Sequence, residues 1–372
     1  MHQDTSSRRL QHQSAQTEVH PRLLYLCGTF AQTSGGAELS ALAILEDLAH
    51  DHDVMVLTRG QPRTAVTRGG LSVQWVPQAQ RCEEGDRSIR EWNPDVILTQ
   101  LLWSDVAMQL GSRHRIPVVL IIHKIPFGHD YLSRHPPEAV IAVSTFVAEY
   151  LKREHGTSST VVPPILDLAS SRCSREARDS SDYITIFNPV LQKGGELFRE
   201  IARRGPERRF GWVPGWEGLK KEGRFDPDIC AAICESLDVR FTGRVPEEVN
   251  LQGLSNVVRL EVAFPPTPIY ACSRLLLVPS QWPEAFGRVA LEAMANGIPV
   301  LGSVVGALPE LLREGGILLP KANPDVWLKA ITALDDPDYY RAIAERGRRH
   351  VAEHYRPAAA RQTFRDVLAS LG

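Results

Sequence analysis

Residues 275–310 read LLLVPSQWPEAFGRVALEAMANGIPVLGSVVGALPE. The apolar run Leu275–Val278 has the length of a buried strand. Pro279 ends it, and Gln281, Trp282 and Pro283 form a crossing. Arg288 to Asn296 fits a short helix, and Gly297 suits its C-terminal cap. Ile298 to Leu301 reads as the next strand, and Pro309 suits the first turn of the next helix. Strand, loop, helix, strand, helix is the repeating unit of a parallel α/β sheet.

Two acids punctuate this unit, Glu284 and Glu292. On one ideal helix, eight positions apart puts them roughly 80° from each other. The loop before Arg288 breaks that count and lets both approach one cleft at the carboxyl ends of the strands, where open parallel sheets bind ligands. Gly287 permits close backbone approach, and free amides at the helix start suit a phosphate. A carboxylate suits a ribose diol, because it only accepts hydrogen bonds. The plainer reading stands beside this one: Glu284 as a favourable acid near a helix start and Glu292 as a solvated side chain.

The stretch resembles the signature of the retaining, nucleotide-sugar-dependent glycosyltransferases of family 4. Glu284-Ala-Phe286-Gly287, the second acid Glu292, the run EAMANGIPV and the turn Gly306 to Glu310 all follow that pattern. The resemblance implies an α/β chain of GT-B fold: two Rossmann-like domains facing a cleft, with a C-terminal helix crossing back to the first domain. The boundaries expected are a disordered leader at 1–20, an acceptor-side domain at 21–168, a linker at 169–181, a donor-binding domain at 182–355 and the returning helix at 356–372. It further implies that Glu284 orients donor-sugar hydroxyls, that Glu292 holds the ribose, and that backbone around Phe286 and Gly287 faces the phosphates.

In the first half, Arg22–Cys27 reads as a strand, residues 28–36 as a small-residue loop and residues 37–50 as a helix. The order suits a phosphate at the helix start, although GxGxxG is absent. Alone, the loop is only a tight turn. The resemblance aligns Gly35, Gly36, Ala37 and Glu38 with a G-G-A-E loop that approaches the donor phosphates and the acceptor. Residues 77–92 look charged and irregular. The run PVVLII at 117–122 reads as a central parallel strand ending at His123. His123 suits either a sugar hydroxyl or a local structural cap. The family places a His here beside the reaction centre, whereas Lys124 departs from its common Asp. Ser144 fits a helix N-cap. The usual hinge P-N-G-V-D is replaced by Pro163, Pro164, Ile165, Leu166 and Asp167.

In the second half, Lys193 precedes two glycines and a helix start, a good anion contact although surface lysines are common. The family pairs this Lys with an Arg five residues earlier, both on the diphosphate. Here that position is Asn188, which carries no charge. Arg288 is a conceivable substitute cation. Residues 215–225 look too polar and glycine-rich for strands and read as a mobile loop. A loop at 243–245 is expected near the nucleobase. The run Arg346, Arg348, Arg349, His350 reads as a solvated face.

Composition bounds the rest. The 372 residues suffice for two cored domains, and 43% hydrophobic content is ordinary for a soluble protein. A net charge of -2 gives no nucleic-acid footprint, and no apolar run is long enough for a membrane span. The six cysteines are scattered; Cys230 and Cys234 lie one helical turn apart without a second pair, so free thiols of a cytoplasmic protein are expected in place of zinc. No Asp-x-Asp metal site appears. The function expected is transfer of a sugar from a UDP, GDP or dTDP sugar to a small-molecule acceptor, with no cofactor or bound metal. A non-catalytic nucleotide-sugar-binding subunit, a GT-B epimerase and a sugar phosphate synthase are the alternatives; an NAD or SAM enzyme lacks its glycine fingerprint. The sequence leaves the oligomeric state open.

Overall fold

The computed structural model describes residues 20–28, 30, 36–60, 66–68, 70–125, 131–166, 168, 172–174, 182–215, 220–221, 224–225, 249–263 and 265–371. Residues 1–19, Gly35, Cys230, Cys234, the loop expected at 243–245 and most of 169–181 lie outside them.

The first sheet contains β1 (Arg22–Cys27), β2 (Asp53–Arg59), β3 (Val66–Arg68), β4 (Leu71–Val76), β5 (Val96–Gln100), β6 (Val118–Ile122), β7 (Ala139–Ala142) and β8 (Thr160–Val161). Their spatial order is β3-β4-β2-β1-β5-β6-β7-β8, parallel except for β3 against β4. β1 and β6 are nearly continuous apolar runs because both faces are covered. Leu23, Tyr25, Val54 and Val56 face one core, and the alternate residues Leu24, Leu26, Met55 and Leu57 face another.

The second sheet is built from β9 (Tyr183–Phe187), β10 (Phe210–Val213), β13 (Val257–Arg259), β14 (Ser273–Val278), β15 (Val300–Ser303) and β16 (Ile317–Leu319). Its order is β13-β10-β9-β14-β15-β16, all parallel. Between β10 and β13 in the chain, β11 (Lys220–Lys221) and β12 (Arg224–Phe225) pair antiparallel, so part of the expected strandless loop is a minimal hairpin. Chain order reverses between β1 and β5 in one sheet and between β9 and β14 in the other. These reversal points open crevices at the strands' carboxyl ends.

Two further expectations are corrected. Residues 81–92 are not irregular but form a helix, Arg81–Trp92, after a single 3-10 turn at Gln78–Gln80. It docks through Gly85, where an added Cβ would sit 2.7 Å from Leu110 Cδ1. His350 does not belong to a solvated face: it is buried, and a ring nitrogen lies 3.0 Å from the Leu311 carbonyl.

The halves touch through defined contacts. Ser144 caps the helix Thr145–His155 by accepting from Val147 N and donates to the Ala285 carbonyl at 2.7 Å. The two oxygens of Glu310 accept from Thr145 N at 2.9 Å and Phe146 N at 3.0 Å. The last helix, Pro357–Ala369, sends Arg365 to Asp47 and Asp51 at the end of the helix Gly36–Leu48. Phe364 and Val367 join a core that runs from β1 to Phe286 and Leu308.

Candidate active site

The crevice of the second sheet is built by two loops pressed together. The exit of β9 turns sharply at Asn188, whose φ is 53° and whose N–H donates to the Val213 carbonyl at 2.8 Å. The turn Leu191–Lys193 then leads into Gly194 and Gly195. A Cβ on Gly194 would lie 1.9 Å from the Pro279 carbonyl oxygen, and one on Gly195 2.1 Å from that of Pro189. Only glycine lets this loop seat on the end of β14. Gln281 N donates to Gln192 O at 2.9 Å and completes the joint.

That joint brings Lys193 onto Glu284. Its Nζ donates to both carboxylate oxygens, at 2.7 and 2.8 Å, and Ser280 Oγ donates to one of them. The ammonium also lies 5.4 Å from the centre of the Trp282 ring. Glu284 is only 8% exposed, so its charge requires these partners. Its backbone is fixed from the other side: Ala307 N donates to Glu284 O, and Gly306, with φ of 58°, sits so close that a Cβ would meet Glu284 N at 2.3 Å.

The helix Arg288–Ala295 starts from Gly287 at φ 106°. Its Glu292 is 4% exposed and is not the solvated acid of the plainer reading. Arg288 Nε donates to Oε1 at 2.6 Å, and the Tyr270 hydroxyl donates to Oε2 at 2.6 Å. Burial, then the Glu292 charge, pushes the Tyr270 phenol well above its ordinary range, so it remains a donor. Tyr270 has no signal in the sequence beyond a place in a short helix. Arg288 also reaches the other domain: its Cδ lies 3.8 Å from where a Cβ on Gly36 would be. Its Nη1 is buried without a partner. The Phe286 ring turns away into the core against Tyr355, centroids 5.8 Å apart. What Phe286 offers the crevice is therefore backbone.

Across from this lies the reversal point of the first sheet. Gly36 opens its helix, and Gln100, at the end of β5, donates to the Ala37 carbonyl at 3.1 Å. Gln100 Oε1 is buried and unpaired, a polar group that no motif marked. His123 follows β6, with Nε2 enclosed and unpaired. Burial lowers its pKa to about 4, so the imidazole is neutral at pH 7. Asn188 is placed with Oδ1 buried and unpaired, directly beneath Gly215, where a Cβ would stand 2.2 Å from Asn188 Cγ. Among the described residues, no group of three or more His, Cys, Asp or Glu is placed to hold a metal ion.

The family described as Glycosyl transferases group 1 matches residues 266–350, and Glycosyltransferase Family 4 matches residues 34–170. A D-inositol 3-phosphate glycosyltransferase of Thermobispora bispora is 39% identical over 106 residues, 27% of this chain and 24% of that protein. A trehalose synthase of Rubrobacter xylanophilus is 25% identical over 211 residues, 53% of this chain and 48% of that protein. The chain spans about half or less of the length of these relatives. Among solved structures, sucrose-phosphate synthase from Thermosynechococcus elongatus superposes with a TM-score of 0.73 at 17% identity, covering 95% of this chain and 100% of that one. Anabaena HepE in complex with UDP-glucose gives 0.73 at 19% identity, covering 94% and 100%. The fold is GT-B, and the two halves of the chain each match a glycosyltransferase family model over part of their length.

Proposed function

We propose that this chain transfers a sugar from a nucleoside-diphosphate sugar to the hydroxyl of a separate, small acceptor, keeping the anomeric configuration. The observation that carries this reading is the pair of buried carboxylates, Glu284 and Glu292, each meeting a cation at the reversal point of the second sheet. The family-model matches to both halves and the likeness to a fold seen with UDP-glucose support it.

On this reading the second domain, 182–355, holds the donor and the first, 21–168, holds the acceptor. Glu292, oriented by Tyr270 and Arg288, accepts from the ribose diol. Lys193 and the amides at Gly287 stabilise the diphosphate as its charge grows. Glu284 accepts from donor-sugar hydroxyls, and neutral His123 hydrogen-bonds near the anomeric carbon. The acceptor oxygen bonds to that carbon as the bond to the phosphate oxygen breaks, and the departing oxygen takes the acceptor proton. Glu284 is not a covalent nucleophile in this scheme. The donor class is a UDP, GDP or dTDP sugar, and the setting is cytoplasmic. No helix among the described residues is long and apolar enough to cross a membrane.

The test is nucleotide release from a panel of UDP, GDP, ADP and dTDP sugars, with and without EDTA. Turnover with one donor class, persisting in EDTA, is expected. Lys193→Ala should lower it about 10- to 150-fold, the worth of one charge-assisted contact. Binding without turnover across sugars and acceptors would favour a non-catalytic binder. Loss on chelation with rescue by Mg2+ or Mn2+ would refute metal independence.

A further inference from the structure

Both candidate acids are occupied before any donor arrives. Glu284 takes Lys193 on both oxygens, and Glu292 takes Arg288. Two cations and two carboxylates cancel, whereas a diphosphate brings further negative charge. Asn188 adds no positive charge, and Gly215 lies against its side chain. Lys193 therefore serves two masters, a carboxylate and a phosphate.

We propose that the Glu284 carboxylate alternates between the hydroxyls of the donor sugar and the Lys193 ammonium, so that the site holds a nucleoside-diphosphate sugar and releases the bare nucleoside diphosphate. This rests on the donor reading above. With a sugar present, its hydroxyls donate to Glu284 in place of Lys193, whose flexible stem lets the ammonium pass to the phosphate. The Trp282 face, 5.4 Å from Nζ, keeps a cation-attracting surface beside that path. The exchange involves side chains alone. Gly194 is seated on Pro279, and the Glu284 carbonyl is held by Ala307, so neither backbone has to move. Once the sugar has been transferred, a carboxylate 8% exposed has lost its hydroxyl donors. Such a group is costly unless repaired, and it draws Lys193 back from the diphosphate. Glu284 thus sets product release as well as sugar orientation.

The experiment is calorimetry at low ionic strength with UDP, GDP, ADP and dTDP, carrying forward the tightest. Glu284→Gln keeps the shape and removes the charge. It should bind the bare diphosphate at least about threefold more tightly while turning over more slowly. In a Lys193→Met background the gain should vanish. Ser280→Ala removes another donor to Glu284 and should act in the opposite sense, weakening diphosphate binding. Equal or weaker binding by Glu284→Gln overturns the proposal, and so does a gain that persists in the Lys193→Met background. If Glu284→Gln does not fold, tighter or unchanged binding by Ser280→Ala overturns it. Failure of all four diphosphates to bind both the wild type and a folded Glu284→Gln overturns the donor reading itself.

Discussion

Tyr270→Phe removes one oxygen from the protein interior and nothing else. That oxygen lies 2.6 Å from Glu292 Oε2, and the residue is fully buried. The ring stays, 5.8 Å from Phe187, so no large cavity opens. A carboxylate 4% exposed loses one of its two described side-chain donors and keeps Arg288. A hydrogen bond to a charged group is worth roughly 1.5–3 kcal/mol. At about 2–4 °C per kcal/mol for a domain of this size, the melting temperature should fall by roughly 3–12 °C. The same loss leaves the Glu292 carboxylate held through one oxygen by Arg288 and less firmly oriented, so affinity for a nucleoside diphosphate should fall severalfold. Calorimetric melting and titration against the wild type read both effects, with Tyr339→Phe, at a residue 41% exposed, as the silent control. A variant within 1 °C or so of the wild type and with unchanged affinity would show that Tyr270 does not hold Glu292.

Gly194→Ala should destabilise the chain by more than about 2 kcal/mol in urea unfolding and cut donor binding, because backbone strain and a collision with Pro279 add. Gly253→Ala shares φ of 84° but meets nothing within 4 Å, so it should cost only about 1 kcal/mol; equal effects would refute the seating argument. His123 has a folded pKa of about 4 against 6.5 unfolded, so the unfolded chain binds the proton first. Stability should fall as pH drops from 6.5 towards 4, by at most about 3 kcal/mol from this group, and His123→Gln should flatten that part of the profile. An unchanged slope would place the titration elsewhere.

The parallel strands were legible because their residues carry their own evidence. Leu275–Val278 and Val118–Ile122 are apolar on both faces, and Pro279, Gly287 and Gly297 mark where the chain must turn. The signature around Glu284 and Glu292 was legible for the same local reason. What escaped depends on distant neighbours. The helix Arg81–Trp92 has few apolar residues and docks through a glycine against Leu110, a contact visible only in three dimensions. Tyr270 and Gln100 look ordinary in sequence and become interesting only through Glu292 and Ala37. His350 sits among arginines in the chain, yet a carbonyl 39 residues away receives its ring.

The Glu310 contact has a consequence for how such chains diversify. Its carboxylate is received by the main-chain amides of Thr145 and Phe146, not by their side chains. Every residue except proline carries that amide. Positions 145 and 146 can therefore change identity while the coupling to the second half keeps its geometry. A first half grafted from a relative would need only a helix beginning at the same place, with a residue such as Ser144 ahead of it to reach Ala285. The junction is written in backbone, which leaves the side-chain surfaces around it free to change.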